Sequence, residues 1–249
     1  DAGLQEAPLT EELAVPDAAR FTAPPSPAVP KGSLQKALTA IKQAKFPLIL
    51  MGRVSRKQAD WDNRVRFAET IGAAVLTSSN DPASFPTTHA LHLAAPCVRP
   101  SKDATALIER ADLIISLDWL DLAGIFRLSL GNAQTQVPTD KTVIHVSLDS
   151  VRTNGWSMDH QALAAVDIPI LAEPDQFVAQ ILEELDAKKT PKAKPRSEMK
   201  EISHWNDATL SKSSPAPGQP MTLWDMAMTI REFAKGKPVT FARLPIGWP

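Results

Sequence analysis

Short apolar runs bounded by glycine, proline or aspartate recur along the first three quarters of the chain. They lie at residues 48–51, 73–77, 112–117, 142–148 and 166–171. The run at 112–117 is apolar on both faces, which is typical of a central parallel strand covered by helices on each side. Together with a further short strand near Leu91, these runs predict a sheet of about six strands.

Helical patterns separate the apolar runs. Ser33 is predicted to cap the first helix, and Ser55 to Gln58 has the spacing of a capping box before the second. A short helix is predicted at 103–111, and Pro174 is expected to begin another. The predicted buried faces are Leu34, Ala37, Leu38 and Ile41, then Trp61, Val65, Ala68 and Ile71, and finally Phe177, Val178, Ile181, Leu182 and Leu185. Strands alternating with helices predict an α/β, Rossmann-like parallel sheet with helices on both faces.

Proline clusters set the predicted domain boundaries. Residues 1–32 and 188–220 are rich in proline and read as linkers, the second with an amphipathic helix near 197–210. The regular α/β pattern occupies 33–187. Order returns at 221–249, where Thr222 and Asp225 form a second capping box and 239–242 could be a strand. The chain opens without methionine or a basic leader, which favours a segment of a longer protein.

Composition excludes several classes of protein. The hydrophobic content is 43%, the charged content 22% and the net charge −1, so no general attraction to nucleic acid or anionic membrane is expected. No apolar run is long enough to cross a bilayer. The single cysteine, Cys97, permits no internal disulfide and favours a cytoplasmic protein.

The turn Gly52-Arg53-Val54-Ser55-Arg56 lies between the first strand and a helix. Such a position favours an anion, and two arginines could hold one. No glycine-rich dinucleotide or phosphate-loop motif is present, so a structural turn with solvated arginines is favoured over a ligand site. Asp118 and Asp149 also end strands, where ligand sites collect, although aspartate is common there as a helix cap.

The sequence lacks the residue patterns of a metal site and of a catalytic nucleophile. His89, His92 and Cys97 lie close in sequence, but zinc would require further ligands with organised spacing. His145 lies within a strand and is expected to be packed or to face solvent. No Gly-x-Ser-x-Gly nucleophile motif occurs. We therefore predict no metal site and no catalytic residue in this chain.

Four stretches form one extended pattern. They are Pro47-Leu-Ile-Leu-Met-Gly-Arg, Ile71-Gly-Ala-Ala-Val-Leu-Thr, Ser84-Phe-Pro with the His-x-Leu-His that follows it, and Asp112-Leu-Ile-Ile-Ser-Leu-Asp-Trp-Leu. This pattern resembles the central domain of thiamine-diphosphate-dependent enzymes, of the acetolactate-synthase and benzoylformate-decarboxylase type. The opening residues 1–6 resemble the end of the family's pyrimidine-binding domain, and 222–242 resemble the start of its pyrophosphate-binding domain.

The resemblance implies a structural role between two cofactor-binding domains. In the family, a glutamate of the pyrimidine-binding domain activates the cofactor, and a Gly-Asp-Gly…Asn run holds Mg²⁺ and the diphosphate. Neither can be matched here. Thiamine diphosphate and Mg²⁺ are therefore expected outside this segment, which is not active alone. The parent is expected to be a decarboxylase, lyase or carboligase (a lyase or transferase) acting on 2-keto acids, and a homodimer or homotetramer.

Some relatives bind FAD or an adenine nucleotide in this domain. Their glycine-rich stretch and arginine-bearing turn are replaced here by 93–97 and 118–121, so FAD is not expected. Candidates for a secondary ligand are Gly52, Arg53, Ser55, Arg56 and Asp118. The alternative function is a regulatory module that binds a nucleotide or a CoA-type ligand.

Overall fold

The computed structural model describes residues 16–130, 140–149, 160–187 and 218–237, without 23, 82 and 161, and also residues 6, 8, 12 and 239. The chain divides into two compact units, Asp1–Ile202 and Ser203–Pro249. In the first unit, the strands are Pro47–Met51 (β1), Ala74–Thr77 (β2), Leu113–Leu117 (β3), Thr142–Ser147 (β4) and Ile168–Leu171 (β5). The helices are Lys31–Gln43 (α1), Gln58–Ile71 (α2), Lys102–Arg110 (α3), Leu122–Leu130 (α4) and Pro174–Ala187 (α5), preceded by a short 3-10 helix at Ala18–Phe21.

The five described strands form one parallel sheet in the order β2-β1-β3-β4-β5. The predicted α/β fold is confirmed. The strand expected near Leu91 is reduced to a single parallel bridge between Val75 and His92, so the described sheet has five strands rather than six. The order reverses between β1 and β3, and such a reversal is where α/β sheets open a crevice beyond the carboxyl ends of the strands.

Hydrophobic cores cover both faces of the sheet, as the apolar strands predicted. Ile49 and Met51 of β1 face a core formed with α1, α2 and α5. Leu48 and Leu50 alternate with them and face a second core formed with α3 and α4. This alternation places consecutive residues of each strand on opposite faces. The predicted faces of α1 and α5 are confirmed, because all their named apolar residues are buried.

Two predicted helix starts are wrong. α1 begins at Lys31 after Pro30, and Ser33 lies within it. α2 begins at Gln58 after Lys57 and has no side-chain cap. The capping box at 55–58 does not form, because the Ser55 hydroxyl donates to the Asp60 carboxylate instead. Gly72 ends α2 as predicted, at a φ of 62°.

The buried face of α2 also differs from the prediction. Trp61 and Val65 are only half-buried, while Arg64 is fully buried beside Phe67. An arginine thus occupies a core-facing position of α2, so the spacing of the apolar residues alone predicts the wrong buried face. Helix α4 was not predicted; it buries Leu122, Gly124, Ile125, Phe126 and Ser129.

Polar side chains fasten the amino edge of the sheet. The Asp112 carboxylate, just before β3, accepts from the backbone N–H groups of Lys45 (2.6 Å) and Phe46 (2.8 Å) at the start of β1. The Lys141 ammonium is buried and donates to the carbonyl oxygens of Glu109 (2.7 Å) and Ala111 (3.0 Å). A cation is favourable at that position because it meets the unpaired carbonyls at the end of α3.

The second unit contains the helix Leu223–Ala234 (α6). Its capping box is confirmed, since the Thr222 hydroxyl accepts from the Asp225 N–H and the Asp225 carboxylate accepts from the Thr222 N–H. The predicted helix near 197–210 lies outside the described residues, as does the predicted strand at 239–242 apart from Val239. Within the described residues, no helix is both long and apolar enough to span a membrane.

Candidate functional site

The loop after β1 packs directly against the loop after β3 at the switch point of the sheet. Gly52 N–H donates to the Leu117 carbonyl (3.0 Å), and Arg53 N–H donates to the Asp118 carbonyl (3.1 Å). A Cβ atom on Gly52 would lie 2.1 Å from the Asp118 carbonyl oxygen, so only glycine fits here. Asp118 itself adopts a left-handed conformation, with φ 55°. Aspartate tolerates that conformation better than most residues.

Arg53 bridges two carboxylates that follow neighbouring strands. Its Nε lies 2.8 Å from Asp118 Oδ2, and its Nη2 lies 2.9 Å from Asp118 Oδ1, which is a bidentate pair. The same Nη2 lies 2.5 Å from Asp149 Oδ2 after β4. Burial lowers the pKa of Arg53, but the hydrogen bonds and charges of the two carboxylates outweigh it and raise the pKa overall. Arg53 is therefore a permanent cation held by two anions.

Asp81 lies in the loop after β2 and is a third carboxylate near this pair. Its Oδ2 is buried and has no hydrogen-bond partner among the described residues. Burial raises the pKa of Asp81; a hydrogen bond from Ser78 and the charges of Arg53 and Arg56 oppose the shift, while the charge of Asp118 adds to it. Asp81 is therefore a third acidic side chain whose charge interacts with that of Arg53.

His145 joins the same edge from β4. Its Nδ1 lies 2.9 Å from the Ser116 hydroxyl, which also accepts from the Trp119 N–H at 3.2 Å. Burial lowers the pKa of His145 overall, although the nearby Asp118 and Asp149 raise it and Arg53 lowers it further. A neutral, packed imidazole follows, in agreement with the packed alternative for this residue.

Ser55 belongs to a different cluster, held by a buried arginine. Arg64 Nε donates to the Ser84 carbonyl (2.9 Å), its Nη2 donates to the Ser55 carbonyl (3.1 Å), and its Nη1 pairs with Asp175 Oδ1 (2.5 Å). Asp175 Oδ2 accepts from the Ser55 N–H at 2.7 Å. We call Arg64, Asp175, Ser55 and Ser84 the Arg64 cluster. It ties the loops after β1 and β2 to the first turn of α5.

The five sequence candidates thus separate into three places. Gly52, Arg53 and Asp118 come together at the switch point, Ser55 lies in the Arg64 cluster, and Arg56 is exposed. Whether any of them holds a secondary ligand stays a prediction. The roles of Arg64, Asp175 and Asp81 were not anticipated. A lone arginine within the apolar stripe of a helix was the one available signal for Arg64.

The histidines that invited a metal hypothesis have protein partners. His92 Nε2 lies 2.9 Å from the Thr77 hydroxyl, and burial, with a smaller contribution from the charge of His89, lowers the pKa of His92 to about 4. His89 Nε2 faces Glu69 Oε1 at 3.4 Å. Burial raises the pKa of the Cys97 thiol to about 11, which makes it a poor nucleophile. Across the described ranges, no three histidine, cysteine, aspartate or glutamate side chains come together as a metal site.

One family model matches the part of the chain that forms the sheet. Residues 34–181 match the model described as thiamine pyrophosphate enzyme, central domain. The chain belongs to this family. The matched range begins in α1 and ends in α5, so it includes all five strands of the sheet. The resemblance inferred from the sequence is confirmed, and so is the assignment as a central domain.

Individual relatives agree with the family. The chain is 25% identical over 174 residues to the acetolactate synthase large subunit of Corynebacterium glutamicum, covering 70% of this chain and 25% of that protein. Two solved structures share the fold, each with a TM-score of 0.51. One, described as a thiamin diphosphate-dependent enzyme of Mycobacterium smegmatis, is 21% identical and matches 75% of this chain and 32% of that one. The other, benzoylformate decarboxylase of Polynucleobacter necessarius, is 19% identical and matches 76% and 32%.

The chain therefore spans about a quarter to a third of the length of these proteins. Membership of the family implies thiamine diphosphate as the cofactor of the parent enzymes. The alternative of a nucleotide- or CoA-binding regulatory module receives no support from these comparisons.

Proposed function

We propose that this central domain is the spacer of a longer thiamine-diphosphate-dependent decarboxylase, lyase or carboligase that acts on 2-keto acids. The observation that carries the proposal is the family match across the whole sheet, from α1 to α5. A match of that extent reflects a complete domain rather than one short motif. The named relatives, a synthase of acetolactate and a decarboxylase of benzoylformate, support the substrate class.

The catalytic cofactor is proposed to lie outside this segment, together with Mg²⁺. The sequence contains no Gly-Asp-Gly run to hold a metal and a diphosphate. The carboxylates of Asp118 and Asp149, which lie where an α/β sheet presents ligands, already neutralise Arg53. A metal ion would have to compete with that guanidinium for the same oxygens. The chain's own residues thus serve structure at this edge.

The flanking segments complete the proposed domain arrangement, with linkers at 1–32 and 188–220 and the start of the pyrophosphate-binding domain at 221–249. Helix α6 supports the last assignment. Its large side chains Leu223 and Phe233 are 81% and 73% exposed, and Trp224 and Ile230 are also exposed. A helix that is apolar around most of its circumference is typical of one buried in a larger body. The flanking domains are then this domain's partners, in a cytoplasmic homodimer or homotetramer.

Calorimetry tests the location of the cofactor. The 249-residue chain and the full-length parent are each titrated with thiamine diphosphate in the presence of Mg²⁺. We expect saturable binding by the parent only, with no heat beyond dilution for the chain. Micromolar binding by the chain would overturn the proposed location.

Activity of the parent tests the reaction class. The full-length protein is assayed for carbon dioxide release from 2-keto acids with small, branched and aromatic side chains, with and without thiamine diphosphate. Release that requires the cofactor supports the proposal. A parent that binds the cofactor but consumes none of these acids would refute the substrate class, while leaving the family assignment intact.

A further inference from the structure

The protein's own groups meet at the switch point between β1 and β3, where the Asp118 carbonyl lies against Gly52 and Arg53 pairs with Asp118 and Asp149. We propose that Arg53 closes the crevice expected there as an internal latch, so that the central domain rejects phosphate-bearing ligands such as adenine nucleotides and FAD. Three independent features carry this inference: the backbone contact at Gly52, the bonding of the Arg53 guanidinium, and the carboxylates at the neighbouring helix starts. The inference goes beyond the proposed function, which concerns the parent's cofactor and reaction.

The first feature is the close backbone approach. A glycine after β1 commonly leaves room for a pyrophosphate to reach the backbone. Here the same space is taken by the Asp118 carbonyl, which would stand 2.1 Å from a Cβ on Gly52 and which accepts the Arg53 N–H at 3.1 Å. The N–H that a phosphate could use therefore already has a protein acceptor.

The second feature is the bonding of the guanidinium group. A phosphate is held most strongly by two parallel N–H bonds from one edge of an arginine. The Nε and Nη2 edge of Arg53 holds Asp118, and the same Nη2 also holds Asp149. An arginine has two such edges, Nε with Nη2 and Nη1 with Nη2, and Nη2 belongs to both. A phosphate that bound through two parallel N–H bonds would therefore have to displace a carboxylate. The displaced carboxylate would then face the phosphate as a like charge.

The third feature is the charge at the helix starts, where anions are favoured by the exposed N–H groups. The first turn of α2 carries Asp60, whose carboxylate accepts from the Ser55 hydroxyl at 2.5 Å. The first turn of α5 carries Asp175, which pairs with Arg64. Both of these helix starts therefore already contain a protein carboxylate.

The latch stabilises the carboxyl ends of the strands, as a bound ligand does in many α/β sheets. Arg53 joins the ends of β1, β3 and β4 through side chains that follow each strand. Cross-linking of this kind stabilises the folded state without any dependence on ligand concentration, in contrast to stabilisation by binding. A central domain held in this way can keep its shape at any level of nucleotide.

Ligand rejection is tested by thermal unfolding of the 249-residue chain with ADP, FAD, CoA and inorganic phosphate, each at millimolar concentration. A ligand that binds only the folded state raises the melting temperature. We expect shifts below about 1 °C for all four. A saturable rise with any of them, lost in Arg53→Ala, would overturn the proposal.

The latch itself is tested by chemical rescue. The Arg53 side chain is 40% exposed, so Arg53→Ala is expected to lower the melting temperature by roughly 2–4 °C, the shift that about 1 kcal/mol causes in a chain of this size. Ethylguanidinium at millimolar concentration should restore part of that loss by pairing with the two carboxylates. The matched control is Arg56→Ala, an exposed arginine three residues away, which should show neither the loss nor the rescue. If Arg53→Ala does not fold, Arg53→Lys serves instead, with a smaller expected loss because lysine cannot form the bidentate pair. Equal stability of Arg53→Ala and wild type, or equal effects of ethylguanidinium on all variants, would refute the latch.

Discussion

Replacing Arg64 by methionine should be among the most damaging single changes in the described domain. The Arg64 side chain is 0% exposed, and the side chain of its partner Asp175 is 10% exposed. Methionine fills much of the same volume but leaves the Asp175 carboxylate without its cation. It also leaves the carbonyls of Ser55 and Ser84 without the donors that they have in the native fold.

The expected loss follows from these unpaired groups. Removing one partner of a buried ion pair costs about 3–5 kcal/mol, because the remaining charge stays desolvated. A loss of that size changes the folding equilibrium by roughly two to four powers of ten. The double variant Arg64→Met/Asp175→Leu should lose less than the sum of the two single losses, since the second change removes the charge that the first left unpaired.

Urea unfolding of the 249-residue chain, followed by circular dichroism, measures these differences. A matched control lies on the same helix: Arg66 pairs with Asp186 at 3.1 Å, but the two side chains are 47% and 62% exposed. Arg66→Met should cost about 0–1 kcal/mol, as exposed ion pairs do. If Arg64→Met cost no more than Arg66→Met, the Arg64 cluster would not be the buried fastening that its geometry indicates.

Three further predictions concern other parts of the domain. Gly52→Ala should destabilise the chain markedly in urea unfolding, because its new Cβ meets rigid backbone. The control Gly32→Ala in α1, where a Cβ would meet nothing within 4 Å, should stabilise the chain by about 0.5–1 kcal/mol. Equal effects of the two substitutions would contradict the packing argument. The buried His92, with a pKa of about 4 against 6.5 in the unfolded chain, should contribute stability that is complete above pH 6.5 and falls by up to about 3 kcal/mol as the pH drops to 4. This loss should be absent from His92→Gln, so the stability difference between wild type and variant should change with pH over this range, and an unchanged slope in the variant would refute the prediction. Lys141→Met should lower the free energy of unfolding by about 1–3 kcal/mol, because it leaves the carbonyls at the end of α3 without their donor. Lys36→Met, on the exposed side of α1, should change the free energy of unfolding little. Similar losses for the two variants would reject the capping role of Lys141.

Much of the fold could be predicted because local sequence and long-range packing favour the same structure. The run at 112–117 is apolar whichever face it presents, so it suits a buried strand in any register of a covered parallel sheet. The face of α5 is equally clear, since five apolar residues recur at helical spacing. The face of α2 was misjudged because Arg64 belongs to the core only by virtue of Asp175, more than a hundred residues away. A local pattern cannot contain that partner.

The candidate site shows the same division. That Gly52 and Asp118 follow strands could be inferred from the sequence, and so could their place at the carboxyl edge. That Arg53 would be bound by two carboxylates, rather than left to hold an anion, could not be inferred. It depends on β3 and β4 being the successive neighbours of β1 on one side, which the strand order alone decides. Helix α4 was overlooked although Leu122, Ile125, Phe126 and Ser129 have helical spacing, because Gly124 interrupts the propensity of the segment.

The strand order also has a consequence during synthesis on the ribosome. Strand β1 is buried at every position, yet it lies between β2, which follows it directly, and β3, which ends roughly 40 residues after β2. At a synthesis rate of about 5–20 residues per second, one hydrogen-bonding edge of β1 stays unpaired for roughly 2–8 seconds, until β3 has been made. An open apolar edge is where nascent chains pair wrongly with one another. Substitutions that weaken β3 should therefore reduce the yield of folded protein in cells more than they reduce the stability of the molecules that do fold.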